Sequence, residues 1–371
     1  MPRVTAPHAH DAPDRCPGVL RPHHAADGPL VRVRVTGGRL PATSLVHLAR
    51  LAAQHGAPFL QLTSRGSLQL RGLPDAVPPA LERGVRELGL LPSDAHERAR
   101  TLVAAPDRSL DGLVGAVDAA VLAEPALAEL PGRWLTVLTD AAGTHLDLPF
   151  DVAWRPDADG ATHGTLLAAG RARPCTRNDL PAAVADLMLR FLAHRPSAGA
   201  WNLRDLPEDS PVLAGWGPAP GATLRPAPTP TPGRTPDGRE LVVAVPLGLL
   251  TPTQAEAVAA ACTDLVVTPT RALVLRDAAP GSEPALAATG LLTTPEDALA
   301  RTTACIGAPH CTRTDVPTLT WARAAAGTAT SATGPTVHVV GCARACGRPP
   351  GARVVLPTSP DDVLEALDDR G

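Results

Sequence analysis

The chain has 371 residues with 37 acidic against 34 basic side chains, so no charge excess draws it to nucleic acid or to an anionic membrane. It has no Tyr, 3 Phe and 5 Trp, too few aromatic faces for a base-stacking platform. No apolar run reaches the length of a membrane span, and the opening MPRVTAPHAHDAPD lacks the apolar stretch of a signal peptide. A cytoplasmic protein is expected, in which seven cysteines, an odd number, are not a disulfide framework. Every basic residue of the Lys and Arg class is Arg, so arginine abundance carries no signal and only placement does.

Val31, Val33 and Val35 alternate with polar residues, which predicts a half-buried strand turning at Gly38. A helix should follow, with Thr43 as N-cap and a stripe of Leu45, Leu48, Ala49 and Ala52. Arg32 and Arg34 fall between the valines and share the face opposite to them. A strand pair is expected around LTSRGSLQLRG at 62–72. Beyond it, short strands joined by Gly and Asp turns lead to a helix from about Pro181 to Ala193, with Val184, Leu187, Met188 and Phe191 on one face. Proline then recurs around PAPTPTP, which predicts an extended, poorly packed linker over 201–237. The string GWGPAPG within it has neither a strand before it nor a helix after it, and is not a dinucleotide fingerprint. With no nicotinamide or flavin site visible, a redox activity would draw its electrons from a separate protein.

Residues 241–262 can be laid on 31–52 without a gap. Leu241, Val243 and Val245 repeat the strand, Gly248 the turn, Thr253 the cap, and Ala255, Val258, Ala259 and Cys262 the apolar stripe. VTPTRALVLRD at 267–277 answers LTSRGSLQLRG, with Arg271 opposite Arg65. Residues 297–309 answer 94–106, which sets Leu102 at the place of Cys305. A half-domain has been duplicated, and its second copy has acquired cysteines.

Those cysteines form two tight pairs: Cys305 and Cys311 in ACIGAPHC, Cys342 and Cys346 in GCARACG. Two thiolate pairs complete the four-ligand set of zinc or of an iron–sulfur cluster. The C-x5-C and C-x3-C spacings fit neither a zinc knuckle nor the common ferredoxin runs, and favour a [4Fe–4S] cluster of another family. Cys16, Cys175 and Cys262 stand outside the set.

Four phrases occur in order along nearly the whole chain: RCPGVLRPHHAADGPLVRVRVTGGRL at 15–40, LTSRGSLQLRGL at 62–73, TACIGAPHC at 303–311 and HVVGCARACGRP at 338–349. Together they resemble the nitrite/sulfite reductase superfamily and, within it, the precorrin-3B synthase family of aerobic cobalamin synthesis. The resemblance implies an α+β fold whose duplicated nitrite/sulfite reductase-like half-domains form a pseudo-symmetric core, with additional α/β iron–sulfur and substrate-side regions. It divides the chain into a first ferredoxin-like repeat at 15–106, an α/β region at 107–200, the proline-rich linker at 201–237, a second repeat at 238–300 and an iron–sulfur cluster-binding α/β region at 301–371.

By the same resemblance Cys305, Cys311, Cys342 and Cys346 are cluster ligands, the last also bridging to sirohaem iron in haem-containing relatives. Arg34, Arg65 and Arg100 match anion-pocket arginines, and Arg32 lies beside Arg34 on the same face. The activity implied is conversion of precorrin-3A to precorrin-3B, by hydroxylation at C20 with dioxygen and two electrons and closure of a lactone. Arginine forks suit the carboxylates that ring such a macrocycle. A cluster with every site filled binds dioxygen poorly, so a mononuclear non-haem iron or an open cluster site is implied, with His23 and His24 as candidate ligands. Two other readings stand beside this one: a sirohaem-dependent nitrite or sulfite reductase, and a zinc-clipped binding module. The reductases place lysines beside the pocket arginines and this chain has none, which weighs against sulfite reduction.

Overall fold

A computed structural model describes residues 14–228, 230–331 and 333–369. Two compact units divide it: one of Met1–Pro17 with Ser93–Pro228, the other of Gly18–Pro92 with Thr229–Gly371.

The second unit is built around the duplication. Alternation makes Gly28–Val33, Leu68–Leu70 and Leu60–Leu62 one antiparallel sheet, with Val31 opposite Leu70 and Val33 opposite Leu68. Its counterpart is Glu240–Ala244, Ala272–Arg276 and Asp264–Val267. Each sheet is completed by a short strand from the other copy: Leu249–Leu250 pairs with Leu60–Leu62, and Arg39–Pro41 pairs with Asp264–Val267. The helices Ala42–His55 and Pro252–Ala261 pack against each other, and leucines and valines of both copies bury in one shared core. The turns that start the exchanged strands are tight: at Gly38, φ 76°, a side chain would strike the Val267 carbonyl of the other copy. At Gly248, φ 73°, a side chain would strike the Arg271 side chain at 2.6 Å and crowd the Leu62 carbonyl of the other copy at 3.2 Å.

Several details differ from the sequence expectation. The first helix begins two residues earlier, with Pro41 rather than Thr43 at the N-cap position and no side-chain cap; in the second copy the cap is Thr251, whose side chain accepts from Gln254 N–H in a capping box, not Thr253. Proline at position 252 occupies the first helical turn and fixes that earlier start. Cys262 lies just past the helix, buried in the shared core.

The cysteines sit on a second layer of this unit. Thr302–Ala304, Val337–Val339 and Arg353–Val355 form a parallel sheet, covered by the helices Thr318–Thr328 and Pro360–Asp368 through Ala322, Ala325, Val363 and Leu367.

The first unit repeats this parallel motif with Leu102–Ala104, Thr136–Leu138 and Val152–Pro156, then extends it with antiparallel strands His163–Ala168, Arg171–Thr176 and Gly217–Pro218. Asp111–Ala123 and Leu180–Ala198 cover it, burying Val117, Trp134, Val184 and Phe191. The two motifs correct the alignment: Ala105 N–H bonds to Leu138 O as Cys305 N–H bonds to Val339 O, so Ala105, not Leu102, holds the place of Cys305. The proline-rich stretch is also corrected. Up to residue 228 it is a string of short 3-10 turns that delivers Leu203, Val212 and Trp216 into the first unit's core, with Arg173 stacked 4.9 Å over Trp216. Buried apolar anchors between the prolines hold it down. Among the described residues no helix is long and apolar enough to cross a membrane.

Candidate functional site

Parallel neighbours Thr302–Ala304 and Val337–Val339 end at the same edge, so the loops leaving them share one crevice, the place where open parallel sheets hold ligands. Cys305 is the first residue past one strand; Cys342 follows three residues after the other. Gly341 N–H donates to Cys305 Sγ at 3.4 Å and Arg313 N–H to Cys311 Sγ at 3.4 Å. Thr318 Oγ1 donates to Cys305 O at 2.7 Å and pins the loop to its helix. Burial raises the Cys346 thiol above its ordinary value; Arg344 works the other way, and Cys305, Cys342 and Cys311 add to the rise. Cys305, Cys342 and Cys311 thus each lie within electrostatic reach of Cys346.

A buried cation lies beside them. The Arg271 guanidinium is 6% exposed, donates through Nη2 to Gly347 O at 2.7 Å, and has no acceptor for Nη1. His338, fully buried, meets Cys346 O through Nε2 at 3.2 Å and Thr303 Oγ1 through Nδ1 at 2.9 Å.

The first copy contributes a polar row on the sheet face turned away from its leucines. Arg32 donates through Nε and Nη2 to Gln69 Oε1 at 3.2 and 2.6 Å, Gln69 Nε2 donates to Gln61 Oε1 at 3.1 Å, and Arg71 Nη1 to the same oxygen at 3.2 Å. Arg71 also forks onto Asp27 at 2.7 and 2.9 Å and reaches His310 O at 3.2 Å, while His310 Nδ1 meets Asp27 at 3.1 Å. The row therefore ends on the loop that carries Cys311. Gln61, Gln69, Arg71 and Asp27 went unnoticed in the sequence, although the period-two pattern of LQLR already puts Gln69 and Arg71 on the face of Arg32.

Arg32 is half-buried on its strand; Arg34, just past the strand end, is 3% exposed; Arg65 is half-buried in the turn between Leu60–Leu62 and Leu68–Leu70. Arg100 belongs to the other compact unit, where Asp118 grips its fork through two bonds of 2.7 Å. His23 and His24 are consecutive on the strand His23–Ala25 and point to opposite faces, so they are not joint ligands of one iron. Among the described residues no three His, Cys, Asp or Glu side chains are gathered to hold a single metal ion. Clefts of about 550 and 610 Å³ lie in the first unit, one lined by Arg204 and Val212, the other by His163 and Cys175.

Comparison with known proteins agrees with this architecture. Residues 21–88 match the nitrite/sulfite reductase ferredoxin-like half domain. A curated relative from Sinorhizobium sp, named precorrin-3B synthase, is 40% identical over 70 residues, which is 19% of this chain and only 15% of that protein's length. The Mycobacterium tuberculosis NirA protein has the same fold, with a TM-score of 0.69 at 21% identity over 86% of this chain and 69% of its own. Residues 21–88 are thus similar to one nitrite/sulfite reductase ferredoxin-like half domain, and the whole is an α+β protein with the fold of NirA.

Proposed function

We propose that the chain is a tetrapyrrole monooxygenase of the precorrin-3B synthase kind, taking precorrin-3A and dioxygen and receiving electrons from an external donor protein. The observation that carries this reading is the polar row of the first copy, arginines and glutamines with no lysine, running up to the cysteine-bearing loop. The name of the curated relative supports it.

In this reading the half-buried Arg32 and Arg65 bind peripheral carboxylates, while Arg34, 3% exposed, is too dry to meet a large solute directly. A guanidinium presents a fixed fork that stays charged at any working pH, so it orients a polyanion without itself exchanging protons. Gln69 and Gln61 lock the Arg32 and Arg71 side chains. Asp27 neutralises Arg71, which leaves that residue as a strut for the loop rather than a ligand for substrate.

The donor set fits an iron–sulfur cluster. It offers four thiols at one sheet edge, backbone N–H groups aimed at two of the sulfurs, and a buried cation with an orphaned Nη1 beside them. A cluster spreads its thiolates over several irons and asks for a wider array than one zinc ion does. Cys305, Cys311, Cys342 and Cys346 would hold it, and when bound it supplies one-electron transfer.

The test is iron and sulfide analysis with an absorption spectrum on protein kept from air, followed by turnover of precorrin-3A with reductant and dioxygen. A brown protein without a haem band that forms the hydroxylated lactone is the expected result. A strong haem band with reduction of nitrite or sulfite moves the chain to the sirohaem reductases, and a colourless zinc protein ends the redox reading.

A further inference from the structure

The turn between Asp264–Val267 and Ala272–Arg276 is the copy of the turn between Leu60–Leu62 and Leu68–Leu70. Thr268 N–H bonds to Ala272 O and Arg271 N–H to Thr268 O; in the first copy Thr63 N–H bonds to Ser67 O and Gly66 N–H to Thr63 O. The counterpart of Arg271 is therefore Gly66, one residue on from the Arg65 that the sequence alignment paired with it. Gly66 has φ 63° and Arg271 φ 61°. The cysteine-free copy keeps glycine where the backbone is left-handed, and the cysteine-bearing copy forces an arginine into that conformation at a cost in strain.

That arginine is then buried without a counter-ion. Among the described residues no carboxylate pairs with it; its one hydrogen bond goes to the Gly347 carbonyl, and Nη1 is left over. Burial pulls its pKa down to about 10, and the only group pushing back is Cys305. Neighbouring His338 adds no charge at neutral pH, since burial, with the Arg271 charge helping, holds its pKa down to about 4. A strained backbone and a lone buried cation are both unfavourable in the protein alone; an anion at the thiols compensates the cation and so offsets the cost of holding it there.

We propose that Arg271 is the built-in counter-charge of the cysteine-held cluster, a positioning residue whose cation and free N–H raise the cluster's reduction potential; this rests on the iron–sulfur reading above. Net charge and hydrogen bonding around the sulfurs are what set such potentials. Full-length protein, purified and reconstituted with ferrous iron and sulfide without air, would be titrated with dithionite and followed by electron paramagnetic resonance. Wild type would be compared with Arg271→Gly, which removes the charge and relieves the backbone, Arg271→Met, which fills the space without charge, and Arg271→Lys, which keeps the charge.

At the wild-type midpoint the ratio of reduced to oxidised cluster should fall about tenfold (~59 mV for one electron) in the Gly and Met variants, and stay within about twofold in the Lys variant. Loss of iron in Gly and Met with retention in Lys also supports the counter-charge. Gly and Met variants that titrate with the wild type overturn it, as does loss of iron from all three, which would make Arg271 a structural strut to Gly347. A wild type that binds no cluster defeats the iron–sulfur reading itself, a different failure from unchanged potentials in a protein that does.

Discussion

Removing the Asp27 carboxylate should destabilise the second unit by an amount that vanishes in acid. Asp27 takes a fork from Arg71 at 2.7 and 2.9 Å and touches His310 Nδ1, with side chains 12% and 3% exposed for Asp27 and Arg71. Asp27→Ala leaves the Arg71 cation buried and unpaired, a situation that costs about 3–5 kcal/mol; the partly wet Asp27 edge favours ~3. For a unit of this size that is a fall of about 6–12 °C in melting temperature. Burial by itself would raise the Asp27 carboxyl, but the Arg71 hydrogen bond and charge, with His310, hold it below the ordinary carboxylate range. A depressed carboxyl stabilises the fold above its unfolded pKa of about 4 and loses that contribution as pH falls through the folded value. Calorimetry of wild type and variant should thus show the full gap at pH 7 and a narrowing gap below about pH 4. A gap under about 2 °C at pH 7, or one that does not change with pH, would refute the reasoning.

Replacing Cys305, Cys311, Cys342 or Cys346 singly by Ser should reduce bound iron, while Cys16→Ser, Cys175→Ser and Cys262→Ser should keep the wild-type iron-to-protein ratio. Arg65→Ala should weaken binding of a carboxylated tetrapyrrole about ten- to a hundredfold, the value of one charge-assisted pair, read by fluorescence or absorbance titration with iron content unchanged. In metal-free protein, iodoacetamide at pH 8 should spare Cys262, which is buried and whose thiol is pushed up to about 12 by burial and then by Asp264; mass spectrometry of the peptide checks that it stays unlabelled.

The repeat was legible because alternation and a positive-φ turn leave marks at fixed spacing, as at Val31, Val33, Val35 and Gly38. What the residues did not disclose was tertiary. Nothing local says that Arg39–Pro41 pairs with the other copy, because a short strand donated across a duplication carries the same pattern as one that stays at home. Letter matching put Leu102 under Cys305 and Arg65 under Arg271; hydrogen-bond register moves the first to Ala105 and the second to Gly66, the residue that the phrases at 62–72 and 267–277 themselves set opposite Arg271 when laid together without a gap. Proline content suggested a loose linker over 201–237, whereas burial of Val212 and Trp216 decides its packing up to residue 228. Arg71 and Asp27 escaped notice, and Arg271 stood only as the mate of Arg65, because, in a chain whose Lys and Arg class is all arginine, placement shows only once the partners are in view.

The duplication also explains why the candidate site is lopsided. Both copies supply the same sheet and the same turn, yet the first keeps glycine at position 66 and spends its outer face on Arg32, Gln69 and Gln61, while the second places Arg271 against thiols. Anion recognition and thiolate compensation call for cations in opposite surroundings: one reachable by a large solute, the other dry. Arg32 is half-buried and Arg271 is 6% exposed, which is that division. Between them the Asp27–Arg71 pair, neutral as a whole, couples the first sheet to the Cys311 loop without adding net charge to either side. Movement of that loop should therefore be felt by the polar row, and amide exchange at residues 306–311 should quicken in Asp27→Ala while exchange in Val337–Val339 stays at the wild-type rate. Equal protection of the loop in both proteins would show that the strut carries no strain between the two halves of the site.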